Sequence, residues 1–381
     1  MEDSGVLATA DQSMPPKTPI TPSHEDDKDD GSYSPANQDE SRSQHPLDPE
    51  HRLPCHIQKK KMHVSECSKL PNRTTVTKFL LVGFSGCRGC QLSIFASFLL
   101  IYIFAVLENV VIVALILQDF KLQKPMYIFL GNLSFLEIWY ISVTLPNMLA
   151  NILTGNHEIS HGACIAQLFI FTFLGAAECY LLAAMAYDRY VAICNPLRYT
   201  IIMQSKSVVA LLLCCWLSGL FTPVLPIWFL SQLDFCGPNQ VEHYFCDASP
   251  LVTLAYGDTK SKELVDFIVS VAVLMSSLSV IFISYFCITW TIVKMSSSRG
   301  RRKAFSTCTS HLAVVCLFYG SMGFTYMRVG AGSPFSNNML VSVFYSIVTP
   351  TLNPVIYSLR NEDVRVALNK VLKTKSLLRK R

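Results

Sequence analysis

Five polar residues stand inside segments that are otherwise apolar: Glu108, Asn109, Glu137, Glu178 and Asn353. A charge at mid-membrane depth costs about 2.5–3.5 kcal/mol on insertion scales, so each such residue needs a partner or a task. Acids and amides at similar depth on different helices can surround water and a cation. They can equally bond one another as a packing cluster when protonated. Asn109, Glu137, Glu178 and Asn353 form the candidate intramembrane cluster, and the residue types alone leave both chemistries open. A different element closes the apolar run that begins near Ala163, the triplet Asp188-Arg189-Tyr190. Adjacent opposite charges pair in a resting state, and the arginine can swing to a new partner when helices part, a two-state element of the kind signalling needs.

Other reactive residues carry less. Cys236, His243 and Cys246 lie near one another in sequence, but their spacing is loose for a metal site, and no metal or cofactor is expected. His243 and His311 are isolated, and neither an HExxH nor a GxSxG stretch occurs, so the chain is not read as an enzyme. A channel or transporter would also explain intramembrane acids. Such folds usually show internal repeats or helices broken at matching places in two halves, and neither is visible.

These residues need helices to hold them. The chain of 381 residues is 51% hydrophobic and 15% charged, against about 25% charged in soluble domains. Seven apolar stretches are long enough to cross a bilayer, at about 92–117, 126–153, 163–193, 207–230, 263–293, 304–327 and 336–358. Lipid offers no partner to free backbone groups, so each must be helical. The expected fold is an all-α integral membrane protein, a bundle of seven transmembrane helices. Residues 92–360 form this domain, 62–91 a segment ahead of it, 361–381 a tail, and 1–61 an extension.

Basic residues near the ends of the spans set the orientation. The connection after span five holds Lys294, Arg299, Arg301, Arg302 and Lys303, and the tail from Arg360 holds eight Lys and Arg. Arg198 and Lys206 follow span three. The long 231–262 loop instead holds Asp234, Glu242, Asp247 and Asp258 with two lysines. The expected topology is a multi-pass plasma-membrane protein, N-terminus outside and C-terminus in the cytosol, with lipid as a partner and no nucleic acid. Asn72-Arg73-Thr74 then lies outside, where Asn72 can be glycosylated; Asn132-Leu133-Ser134 lies inside span two and is a chance match.

The extension "HEDDKDDGSYSPANQDESRSQHPLDPEH" has the composition of a disordered tail. No signal peptide is visible, and Met62 offers a second start. Beyond Asn361, Val364, Leu368, Val371 and Leu372 recur at helical spacing beside Arg365, Lys370 and Lys373. A short amphipathic helix on the inner leaflet is expected there.

Several stretches resemble the signature segments of olfactory receptors, a branch of the rhodopsin-like G protein-coupled receptors. They are "MAYDRYVAICNPLRY" (185–199), "KAFSTCTSHLAVVCLFYG" (303–320), "PTLNPVIYSLRN" (350–361), "KPMYIFLGNLSFLEIWY" (124–140) and "FCGPNQVEHYFCD" (235–247). The resemblance runs from about Asn72 to Leu372. It implies a receptor that takes small volatile molecules and activates a stimulatory, olfactory-type heterotrimeric G protein, raising cAMP. A non-olfactory receptor of the same superfamily is the nearest alternative.

The resemblance assigns roles. Asp188, Arg189 and Tyr190, with Asn353, Pro354 and Tyr357, make the G protein switch, and Tyr285 and Tyr357 become partners for Arg189 in an open state. It pairs Cys164 with Cys246. The family's third loop cysteine is absent, since "LAYGDT" has Tyr256 in that place. Cys236 is first read as a free thiol and second as a partner of Cys87 or Cys90. Glu108 stands where glycine is frequent and Glu137 where the wider class has aspartate, which bears on any sodium pocket. A small volatile ligand needs an enclosed, mostly apolar pocket with one or two polar anchors. Phe171, Thr172, Gly175, Ala176 and Cys179 form one stripe of span three, and Tyr319, Met322, Gly323 and Tyr326 a similar stripe of span six. Ser270 and Ser346 supply hydroxyls at comparable depth, and ordinary helix packing would place the same residue types there.

Overall fold

The computed structural model describes residues 76–84, 88–235, 239–256, 258–329, 339, 342–360 and 363–370. Asn72, Cys87, Cys236 and the extension 1–61 lie outside the described residues.

Six helices among the described residues are long and apolar enough to cross a bilayer. Span one is Arg88–Gln118, span two Pro125–Thr154, span three His161–Cys194, span five Lys260–Lys294 and span six Ser298–Val329. Span four is Ser205–Phe221 continued by Val224–Ser231, because Pro223 cannot donate to the helical ladder at the break. The seventh helix is described continuously from residue 342, ending in Thr349–Arg360; residues 336–338, 340 and 341 of its expected range lie outside the described set. Sequence cues explain the ends. Pro125 opens span two at a position where no N–H is needed. Gly155 closes it with φ 70°, a left-handed conformation that costs glycine nothing. Ser160 caps span three by accepting from Ala163 N–H at 3.2 Å.

Span three is the axis of the bundle. Leu174, Ala177, Glu178, Leu181, Leu182 and Met185 on it are buried, and it packs against spans two, four, five and six. Small residues allow the closest approach: a Cβ on Gly219 of span four would lie 2.7 Å from Ala177 Cβ. Leu100, Phe104 and Leu107 of span one and Phe282, Phe286 and Trp290 of span five stay exposed. These apolar faces are what a helix turns to lipid.

The end of the bundle near Cys164 carries two small sheets, an addition to the all-helical expectation. Strand β1 (Lys78–Leu81) pairs antiparallel with β2 (Glu158–Ser160) and parallel with β4 (Gln240–Val241), while β3 (Asp234–Phe235) pairs with β5 (Ala255–Tyr256). Phe79, Leu81, Leu168, Leu230, Val241 and Leu251 form a separate apolar core beneath them. At the opposite end a helix covers residues 363–370. Val364 and Ala367 are buried, Leu368 packs against the main core, and Asp363 accepts from Lys124 Nζ at 3.0 Å and Tyr127 Oη at 2.9 Å.

Candidate functional site

At the end of span three Asp188 is fully buried, and its Oδ1 accepts from Tyr199 Oη at 2.8 Å. Arg189 Nη2 lies 3.3 Å from the other oxygen, Oδ2. The arginine is thus held by its own neighbour. Tyr199 reaches the site because Pro196–Arg198 turns the chain immediately after span three and the helical turn Tyr199–Ile202 carries it back. Tyr190 packs on Tyr187, with ring centroids 6.1 Å apart.

Tyr285 is engaged elsewhere in this state. Its hydroxyl bonds His311 Nδ1 at 2.7 Å, and His311 Nε2 is 3.1 Å from the Leu182 carbonyl. A carbonyl only accepts, so Nε2 carries the proton and Nδ1 accepts from the tyrosine. His311, isolated in the sequence, therefore ties spans three, five and six together. Tyr357 is buried, and its hydroxyl makes no hydrogen bond among the described residues.

The polar cluster assembles around span seven. Asn353 Nδ2 donates to Glu137 Oε1 at 2.5 Å. Asn109 Nδ2 donates to the carbonyls of Ala105 at 3.0 Å and Pro350 at 3.3 Å. Glu178 and Glu108 act on Glu137 as electrostatic neighbours. Glu178 is fully buried with neither oxygen bonded among the described residues, and Glu137 Oε2, Asn109 Oδ1 and Asn353 Oδ1 are likewise buried without a donor there. Every one of these atoms is an acceptor, so the set asks for protons, water or a cation. Among the described residues no group of three or more His, Cys, Asp and Glu is arranged to hold a metal ion.

The pocket stripes divide between two neighbourhoods. Phe171 stacks on Tyr140 of span two at 4.7 Å and packs against Phe245 of the 232–259 connection at 4.7 Å and Tyr345 of span seven at 6.1 Å. Gly175 faces the same tyrosine, since a Cβ there would lie 3.6 Å from Tyr140 Oη. Ser346 belongs to this aromatic side too, and its hydroxyl is taken by Tyr244 Oη at 2.6 Å. The second neighbourhood lies between spans three, five and six. Tyr319 Oη donates to Ser277 Oγ at 2.8 Å and lies 3.4 Å from the Cys179 carbonyl. Ala176 is buried, Thr172 and Ser270 are half-buried, and Met322 packs against the main core. Gly323 and Tyr326 lie on span six, but their side chains lie outside the described residues.

Tyr140, Tyr244, Phe245 and Ser277 were not singled out in the sequence. Tyr244-Phe245 directly precedes Cys246, and that adjacency was the available signal. A disulfide joins Cys164 to Cys246 with a Cα separation of 5.4 Å, so the residues beside Cys246 are drawn onto span three. Gln167 finishes the attachment. Its Nε2 donates to the Val143 carbonyl at 2.7 Å and its Oε1 accepts from Cys246 N–H at 2.9 Å.

Residues 98–375 match the family model described as olfactory receptor. Human olfactory receptor 6Q1 is 52% identical over 79% of this chain and 95% of its own length. Human olfactory receptor 6B1 is 49% identical over 80% of this chain and 97% of its own, and mouse olfactory receptor 6B9 44% over 80% and 96%. The crystal structure of squid rhodopsin superposes with a TM-score of 0.60 at 18% identity, covering 76% of this chain and 87% of that one, a likeness of fold. The chain has the seven-helix fold of the rhodopsin-like receptors, a multi-pass membrane protein and not an enzyme. It belongs to the olfactory receptor family.

Proposed function

We propose that this receptor binds a small volatile molecule inside the helix bundle and activates a stimulatory, olfactory-type heterotrimeric G protein, raising cAMP. The observation that carries the reading is the closed Asp188–Arg189–Tyr199 arrangement at the end of span three. It stores an arginine beside a buried acid at the bundle end opposite the disulfide, where release would present a cation to a partner. The same polarity supports an N-terminus outside and a C-terminus in the cytosol. The Cys164–Cys246 bond belongs in an oxidising compartment, and the basic connections lie at the other end. Asn72 is the glycosylation site in this topology.

The ligand seat is the space between spans three, five and six, with Cys179, Tyr319, Met322 and Ser277 as its wall and the Tyr319–Ser277 pair as its polar anchor. Phe171 and Gly175 border it from the aromatic side. The test is a cAMP-reporter screen of the full chain against a broad odorant panel, with Arg189→Ala as the control at matched surface level. An odorant-evoked rise that Arg189→Ala abolishes is expected. A response retained in that variant removes Arg189 from the switch, and odorant-evoked signalling without any G protein removes the whole reading.

A further inference from the structure

Span seven does not run as a regular helix. Residues Phe344–Val348 form a π-turn, closed by Thr349 N–H bonding to the Phe344 carbonyl five residues back. Pro350 explains why the wide turn sits there: it has no N–H for the Ser346 carbonyl, and its ring crowds that carbonyl. Thr349 Oγ1 also donates to Phe344 O at 3.1 Å. One extra residue in a turn rotates everything after it by about 100° relative to an uninterrupted α-helix. The facing of Asn353 and Tyr357 therefore depends on whether this turn is kept.

Something outside the helix grips the turn. Ser346 Oγ donates its one proton to the Ser342 carbonyl at 2.6 Å. The Tyr244 hydroxyl, 2.6 Å from Ser346 Oγ, must then be the donor in that bond. Ser342 Oγ gives its proton to the Met339 carbonyl at 2.7 Å and packs 3.3 Å from the same phenol oxygen. Tyr244 itself is anchored from every side. It is 1% exposed; Phe84 stacks on it at 5.8 Å, His243 at 4.8 Å, and Phe245 meets it edge-on at 4.9 Å. The backbone of Gly83 packs so close that a Cβ there would lie 3.1 Å from Tyr244 Cβ. Two residues on, Cys246 is bonded to span three.

We propose that Tyr244 is a positioning residue for signalling: its hydroxyl, presented by a rigid loop, holds the π-turn of span seven in the register that keeps Asn353 on Glu137. The register part stands on the geometry alone, and the signalling part rests on the function proposed above. The loop residue beside it, Phe245, lies 4.7 Å from Phe171, so the aromatic border of the ligand seat and the grip on span seven are consecutive residues. A ligand that displaces Phe245 loosens Tyr244, and the turn is then held less firmly in this register.

Tyr244→Phe keeps the ring and removes only the hydroxyl, and Ser346→Ala removes the other partner. Hydrogen–deuterium exchange of the purified full chain reads the turn without any G protein, and basal cAMP at matched surface level reads signalling. Loss of one hydrogen bond shifts a local equilibrium by about five-fold. Exchange confined to residues 344–349 should quicken by that order in either variant, with the double variant no faster than the singles, and basal cAMP should rise. Unchanged exchange, exchange raised evenly through the bundle, or effects that simply add overturn the register role. Faster exchange at the turn with a wild-type odorant response that both variants reproduce unaltered overturns the signalling role. Faster exchange at the turn when even the wild type never raises cAMP supports the register role and removes the G protein reading instead.

Discussion

The Asn353 side chain of span seven donates to Glu137 of span two across 2.5 Å, and both residues are fully buried. This is a bond between residues 216 positions apart, made out of reach of bulk solvent. Asn353→Ala removes the donor and leaves a buried carboxyl oxygen unsatisfied, which costs about 1–3 kcal/mol. Thermal melting of the purified full chain should show the loss. Asn353→Asp should be worse, because it adds a further acid beside Glu137, which already neighbours Glu178 and Glu108. A melting temperature unchanged in both variants would mean that the pair does not hold spans two and seven together.

The bond from Cys164 to Cys246 holds the loop that carries Tyr244 and Phe245. Cys164→Ser should cost about 2–5 kcal/mol and lower surface display sharply. Cys246→Ser should do the same, and the double variant should be no worse than either. Normal display of both single variants would show that Gln167 and the strand pairing suffice to hold the loop.

Gly175 tolerates one more carbon but not four. A Cβ there meets Tyr140 Oη at 3.6 Å, ordinary contact, so Gly175→Ala should leave concentration–response curves in place. Gly175→Leu should push Tyr140 off Phe171 and narrow the seat. Overpacking of about 1–3 kcal/mol corresponds to at least a several-fold rise in effective agonist concentration. Equal curves for wild type and Gly175→Leu, at equal surface display, would place the ligand elsewhere.

His243 makes the loop sensitive to acid. Burial pushes its imidazole down from 6.5 to about 4. Between those values the opened loop binds a proton that the closed loop refuses, so closure weakens as pH falls through that window and is fully stable above it. The total effect is on the order of 3 kcal/mol. Corrected for the intrinsic slowing of amide exchange in acid, the protection of residues 239–256 against hydrogen exchange should fall from pH 7 to pH 5 in the wild type and much less in His243→Phe. Matching pH profiles for the two would show that another group sets the response.

The family, the seven-helix fold and the membrane were legible in the sequence because they rest on local properties. A run of apolar residues must be helical in lipid whatever surrounds it. Motifs such as Asp188-Arg189-Tyr190 and Asn353-Pro354 declare themselves by residue type and order. The partners did not, because they are chosen by packing across long separations. Tyr199 belongs to Asp188, His311 to Tyr285, and Ser346 to Tyr244. The pairing of β1 with β2 joins residues 80 positions apart, as Lys78 and Glu158 do at 2.7 Å, and no local alternation announced it. The division of the pocket stripe had the same cause: which neighbours a helix face meets is settled only when helices pack. Helix formation is decided residue by residue along the chain, whereas the identity of a buried polar partner is decided by which bundle geometry leaves the fewest donors and acceptors unmet.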